Sequence, residues 1–171
     1  MESEVKSTGK FALNYGIILG LILVIIIAVM YVTNMLIEGV QWPMVIYYVL
    51  FPVFLIYVIS QFKKANNGIL SLVDALKVGI VTAILSALVY GVFSLVLYYV
   101  VDPDLNAKLM EVTREKLYEN PRMTEEAVET TMEMAKKFSG PIVGVAIWTA
   151  LSAILGLIYS LIGGLSMKKE A

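Results

Sequence analysis

The 171-residue chain has no cysteine and no histidine. The first absence removes disulfides, thiolate nucleophiles and thiolate metal sites. The second removes the usual near-neutral proton shuttle and the commonest metal ligand. Redox, zinc and haem chemistry are disfavoured together, so the expectation is no cofactor and no bound metal. Charged residues are scarce, at 16%, and the net charge of −1 gives no footing for nucleic acid. What fills the chain is apolar: 59% hydrophobic residues and a mean hydropathy of +0.82. A soluble surface rarely carries that balance. The length suits one compact bundle.

Four apolar stretches, at about 11–37, 43–62, 71–101 and 141–167, are long enough to cross a bilayer. Within the third, Val78 to Val101 runs 24 residues without a charge. The first exceeds a signal-peptide core and no small-x-small cleavage site follows it, so it reads as a retained helix. Gly39 suits a helix C-cap and Pro43 a first helical position. The second stretch is crowded with Tyr47, Tyr48, Phe51, Phe54 and Tyr57, large rings suited to grooves on its neighbours. Its Pro52 lacks the N–H that would bond the Tyr48 carbonyl, which makes it a tolerated kink or a hinge. Asn66-Asn67-Gly68 reads as a turn, and Ser71 to Asp74 has capping-box spacing. The sequence thus predicts an all-α integral membrane protein, a single four-helix domain over 1–171, with a helical extramembrane hairpin at 102–139 between spans 3 and 4.

Lys6 and Lys10, then Lys63, Lys64 and Lys77, then Lys168 and Lys169 fall on one side of this arrangement. The other side carries Lys108, Arg114, Lys116, Arg122, Lys136 and Lys137, all in the long third loop among nine acids. Short lysine-dense segments mark the cytoplasmic face, which puts both termini inside. In the loop, Asp102-Pro103 reads as an N-cap with proline at the first helical position. Leu105, Leu109 and Val112 follow at helical spacing, and Asn120-Pro121 breaks the pattern. Thr124 caps a second helix whose apolar face is Val128, Met132, Ala135 and Phe138. That hairpin either rests on the bundle or the lipid interface, or serves as a docking surface. Met110, Met123, Met132 and Met134 fit amphipathic packing better than soft-metal capture.

Small residues recur at four-residue intervals, the spacing that lets helix backbones meet closely in lipid. Span 3 has Ala75, Gly79, Ala83, Ala87 and Gly91. Span 4 has Gly140, Gly144, Ser152, Gly156, Ser160 and Gly164, with Trp148 interrupting, and span 1 has Gly16 and Gly20. These seams pack either within one chain or between chains. Asp74 and Lys77, three apart, can pair at the membrane boundary and are the one candidate functional pair. Asn14 and Asn34 need hydrogen-bond partners, most simply on a neighbouring helix. Thr82, Ser86, Tyr90 and Ser94, with Thr149, Ser152, Tyr159 and Ser160, either bond carbonyls or wet a narrow path.

The run Asn66 to Asp104, NNGILSLVDALKVGIVTAILSALVYGVFSLVLYYVVDPD, resembles an uncharacterised family of small four-span membrane proteins of Bacteroidetes-type bacteria. So do NYGIILGLI from Asn14, the loop helix from Thr124, and SGPIVGVAIW from Ser139. That family is known only as a domain of unknown function. The resemblance implies a bacterial inner-membrane protein and an α-helical bundle, and it transfers no catalytic or binding residue.

The leading expectation is a non-enzymatic subunit, assembly factor or stabiliser. Its partners are the lipid bilayer and either another membrane protein or further copies of itself. The alternative is a small-solute or ion transporter or channel, with a polar path between spans 3 and 4. An enzyme is not expected, for there is no histidine, cysteine or central carboxylate pair.

Overall fold

The computed structural model describes residues 7–169, so Lys6 of the charge argument lies outside the described residues. The chain forms α1 (Thr8–Val32), α2 (Met35–Glu38), α3 (Trp42–Ala65), α4 (Leu72–Val96), α5 (Leu105–Tyr118), α6 (Glu125–Phe138) and α7 (Pro141–Met167). A π-helical turn, Leu97–Val101, extends α4. Among the described residues there is no strand beyond one antiparallel bridge, in which Leu70 and Lys169 exchange backbone hydrogen bonds of 3.0 Å. Helices α1, α3, α4 with its π turn, and α7 are long and apolar enough to cross a membrane. The chain is a multi-pass helical membrane protein.

Local chemistry sets the helix ends. The first span is not one helix to Ile37. Thr33 turns its hydroxyl back to the Val29 carbonyl at 2.7 Å, and Asn34 adopts φ 58°, a left-handed conformation that asparagine tolerates. Asn34 thus makes the break before α2 and forms no link to another helix, and Asn14 is exposed. Gly39, at φ 68°, closes α2. Pro52 lies inside a continuous α3. The Ser71 hydroxyl accepts from the Asp74 N–H at 3.0 Å and donates to the Asp74 carboxylate at 2.6 Å. Lys63 donates to the Met167 carbonyl at 2.8 Å, so α3 supplies a cation to the C-terminus of α7.

Helix α4 is the axis. Running parallel on one side, α1 lays Gly16 and Gly20 on it. A methyl at either would stand 2.6 Å from Leu85 Cβ or Val89 Cβ, and one at Gly20 only 2.9 Å from the Ser86 carbonyl oxygen. Running antiparallel on another side, α7 matches α4 step for step. Gly164 meets Ala75 and Leu72, Ser160 covers Gly79, and Gly156 faces Ala83. Buried Ala87 and Ser152 occupy the next step of that register. Helix α3 closes the bundle with large side chains: Tyr47, Phe51, Leu55, Val58, Ile59 and Phe62 are buried, whereas Tyr48 and Tyr57 stay exposed.

The loop helices join the bundle at the Asp102 end. Helix α5 starts at Leu105 with Asp104 as its N-cap, not at Asp102-Pro103. Asp102 is occupied elsewhere, accepting from Lys108 Nζ at 2.9 and 3.0 Å and from the Tyr31 hydroxyl at 3.4 Å. Lys116 donates to the Glu38 carbonyl at 2.9 Å, tying α5 to α2. Arg114 and Tyr118 of α5 both reach Glu129 of α6, at 3.1 and 2.8 Å. Thr124 caps α6 by accepting from the Ala127 N–H. Val128 and Met132 are buried as their spacing predicts, but Phe138 is 60% exposed. It sits in the last turn of α6, beside the Ser139-Gly140 break, where no neighbouring helix covers it.

Two predictions follow from this packing. Gly156→Ala forces a methyl to 2.6 Å from Ala83 Cβ and should destabilise the bundle by about 1–3 kcal/mol. Gly144→Ala, with nothing within 4 Å, should leave stability unchanged or raise it by up to about 1 kcal/mol. Detergent unfolding reads both, and equal effects would refute the seam. The second concerns Asp102, whose hydrogen bond from Lys108 holds its carboxyl below the ordinary 3.8. A depressed carboxyl stabilises above its unfolded value and loses that contribution as pH falls through the folded one. Hydrogen-exchange protection of the first turn of α5 should therefore drop on acidification below about pH 4, and Asp102→Asn should abolish the pH dependence.

Candidate functional site

The close match of α4 to α7 ends at one residue. By register Trp148 should face Gly91, where an indole cannot fit between two backbones. Val145 covers Gly91 instead, and a methyl there would meet its Cγ1 at 2.7 Å. The indole packs against Tyr90 of α4 and Tyr47 of α3, with ring centroids 6.0 and 6.2 Å away. Beyond this point α4 and α7 separate. Gly144 has no atom within 4 Å of where its Cβ would be, and Gly140 meets only Val143 of its own helix. The predicted four-residue grid is therefore two things: a packed seam from Ser152 to Gly164, and an uncovered stretch at Gly140 and Gly144.

A cavity of about 190 Å³ occupies the gap, lined by Tyr90, Ser94, Tyr98, Gly140, Gly144 and Trp148 among others. The π turn helps to form it. Asp102 N–H bonds the Leu97 carbonyl at 2.8 Å, five residues back, and such turns widen the backbone, often at functional sites. On its other side Trp148 lines a second cavity of about 290 Å³ between α3 and α7, with Tyr47, Tyr48, Phe51, Leu155 and Tyr159.

Two donors at this place have no acceptor. The Trp148 indole N–H and the Tyr47 hydroxyl are shielded from solvent and unpaired. Tyr47 itself is 1% exposed. Ser86 lies beside that hydroxyl; it donates to the Ala83 carbonyl at 2.8 Å and keeps lone pairs able to accept. Unsatisfied polar groups are costly in a medium that offers them no water. No carboxylate, amine or guanidinium lines either cavity. Tyr90, Ser94 and Tyr98 line one cavity and Tyr48, Ser152 and Tyr159 the other, so the chemistry available is that of hydroxyls, which donate and accept, and of ring faces.

Other sequence candidates do not converge here. No ion pair joins Asp74 and Lys77; Asp74 is held by Ser71, and Lys77 is exposed. Thr82, Ser86, Thr149 and Ser160 each donate to a carbonyl of their own helix. Thr82 also reaches the Ala12 carbonyl of α1, at 3.5 Å. Among the described residues no group of three or more acids could hold a metal ion. Tyr47, Trp148 and Tyr98 were absent from the candidate set. The available signal was the interruption itself, a tryptophan set in a row of small residues.

Tyr47→Phe removes the unpaired hydroxyl and keeps the ring. In protein stripped of lipid it should leave stability unchanged or raise it by up to about 1 kcal/mol, measured by detergent unfolding. A loss of that size would mean that the hydroxyl is bonded in the empty protein.

No curated protein and no solved structure matches the chain. The family described as "Protein of unknown function (DUF4199)" matches residues 14–169, a range that takes in every stretch on which the resemblance rests, and the chain belongs to that family.

Proposed function

We propose that this is a non-enzymatic protein of a bacterial cytoplasmic membrane that acts by binding a lipid-soluble ligand between α3, α4 and α7. Both termini lie in the cytoplasm in this reading, because the short lysine-dense segments share that side. Helices α5 and α6 then form an external helical hairpin, and the Trp148 cavities lie in the outer half of the membrane. The observation that carries the proposal is the pair of cavities that open on either side of Trp148, where it interrupts an otherwise tight bundle.

The contact-subunit reading drew its motive from the small-residue seams. Gly16, Gly20, Gly79, Gly91, Gly156 and Gly164 are all covered by helices of the same chain. A partner protein would have to use the loop helices or the lipid-facing surface. The transporter reading asks for a continuous polar route. Of the hydroxyls that would line it, those of Thr82, Ser86, Thr149 and Ser160 are spent on local carbonyls, while Tyr90, Ser94, Ser152 and Tyr159 line the two cavities; Ser160 on Gly79 with Gly156 on Ala83 fills the inner half of the α4–α7 interface. Binding without passage is the better fit.

The chain has two tryptophans, so Trp42→Phe leaves Trp148 as the sole indole reporter. Titrating delipidated protein with membrane lipid extract should change its emission saturably. Leu151→Phe with Leu155→Phe, which fills the α3–α7 cavity, should abolish that change. A linear response indifferent to the filling would defeat the proposal. Saturable solute flux in reconstituted vesicles would replace it with transport.

A further inference from the structure

A separate cluster lies where α1, α2 and α3 meet. Met30 of α1, Met35 of α2 and Met44 of α3 line one cavity of about 300 Å³, with Val40, Gln41 and Tyr48 among its other walls. These are three of the chain's nine methionines. Met30 is 3% exposed, and the other two are partly buried against the same core. Sequence spacing does not bring them together. Were α1 continuous, five residues at about 100° each would turn Met35 about 140° away from Met30. The left-handed residue Asn34 breaks that helix, and Gly39, also left-handed, turns the chain towards α3. Methionine commonly fills irregular gaps. Here three methionines leave a gap among them, which a filling role does not explain.

Thioether sulfur is a soft, uncharged donor, and the cations it selects are soft ones such as copper(I). The other walls disfavour harder ions. No carboxylate lines the cavity, and the chain has no histidine or cysteine, so Ca²⁺, Mg²⁺ and Zn²⁺ lack their ordinary ligands. Lys116 donates to the Glu38 carbonyl at 2.9 Å and stands against Gly39, a further wall of the cavity. Its positive charge opposes a divalent ion twice as strongly as a monovalent one. The position allows arrival from water. Met30 lies two residues before the Val32 end of α1 and Met44 two residues after the Trp42 start of α3, each about 3 Å along its helix. Gln41, on the wall between α2 and α3, is exposed.

We infer that Met30, Met35 and Met44 form a three-thioether site for one soft monovalent cation of the copper(I) class. The site lies at the hairpin end of the bundle and is independent of the binding role proposed for the Trp148 cavities. Each sulfur gives a lone pair to the ion, which keeps its oxidation state, and no proton has to leave a thioether first.

Silver(I), a soft monovalent ion with no redox step of its own here, is the probe. It is titrated into full-length protein in mild detergent with isotope-labelled methionine methyls. One equivalent should shift the methyl resonances of Met30, Met35 and Met44 and leave those of the loop methionines in place. Native mass spectrometry should count one ion per chain. Leucine at any one of the three positions, close to methionine in volume, should weaken binding by at least about tenfold. Leucine at Met110, Met123, Met132 and Met134 together should not weaken it. Copper(I), supplied without oxygen from a competing chelator, should displace the silver, and Zn²⁺ should not. Should a leucine variant fail to fold, the methyl shifts of the unaltered protein decide. Shifts confined to the loop methionines, absence of saturable binding, or displacement by Zn²⁺ would each overturn the assignment. None of these results bears on the Trp148 cavities, which the filling variant tests separately.

Discussion

Helix association inside a bilayer lacks the drive that burial provides in water, since lipid tails are as apolar as leucine. It depends on how closely two backbones can approach. In this chain the whole bundle hangs on that approach at α4, which receives α1 on one side and α7 on another. Gly16 and Gly20 seat α1 against the carbonyls of Thr82 and Ser86, and Gly79, Gly156 and Gly164 let α7 interlock with α4. Dispersion across so close a contact is gained by many atoms at once. The buried hydroxyls add local bonds without asking for partners from outside.

The same constraint explains where the bundle opens. A tryptophan at a step where glycine and serine serve elsewhere cannot be sandwiched, so Trp148 is displaced towards the rings of Tyr47 and Tyr90. The helices then diverge past Gly144. A π turn ends α4 at the same level, and Asp102, which follows it, is fixed by Lys108 and Tyr31. Tight packing at one end and a cavity pair at the other are consequences of one residue pattern. At the tight end, Lys63 on the Met167 carbonyl and the Leu70–Lys169 bridge fasten the loops that join the helices.

Much of the fold was legible. Spacing of small residues named the faces of α1, α4 and α7 that meet, because in lipid a smooth groove has little other use. Capping chemistry located the starts of α4 at Ser71 and α6 at Thr124. Errors arose where a side chain found a distant partner that sequence spacing does not reveal. Asp102 looked like a helix cap and instead accepts from Lys108 and from the distant Tyr31; at Asp74 two local partners competed, and the cap residue Ser71 holds it rather than Lys77. Phe138 fitted an apolar face whose outermost position nothing covers.

By itself the sequence determined that the chain is a helical membrane bundle, which helix faces are smooth, and that no histidine or cysteine chemistry operates, since these follow from composition and from the geometry of one helix at a time. Only the tertiary structure decided that the seams are filled within the chain and that Gly140 and Gly144 are left bare. It also decided that Trp148 and Tyr47, a hundred residues apart, bring two unpaired donors to one place. The physical reason is that register between helices, and the misfit of an indole in that register, is a property of pairs of backbones and cannot be read from either alone.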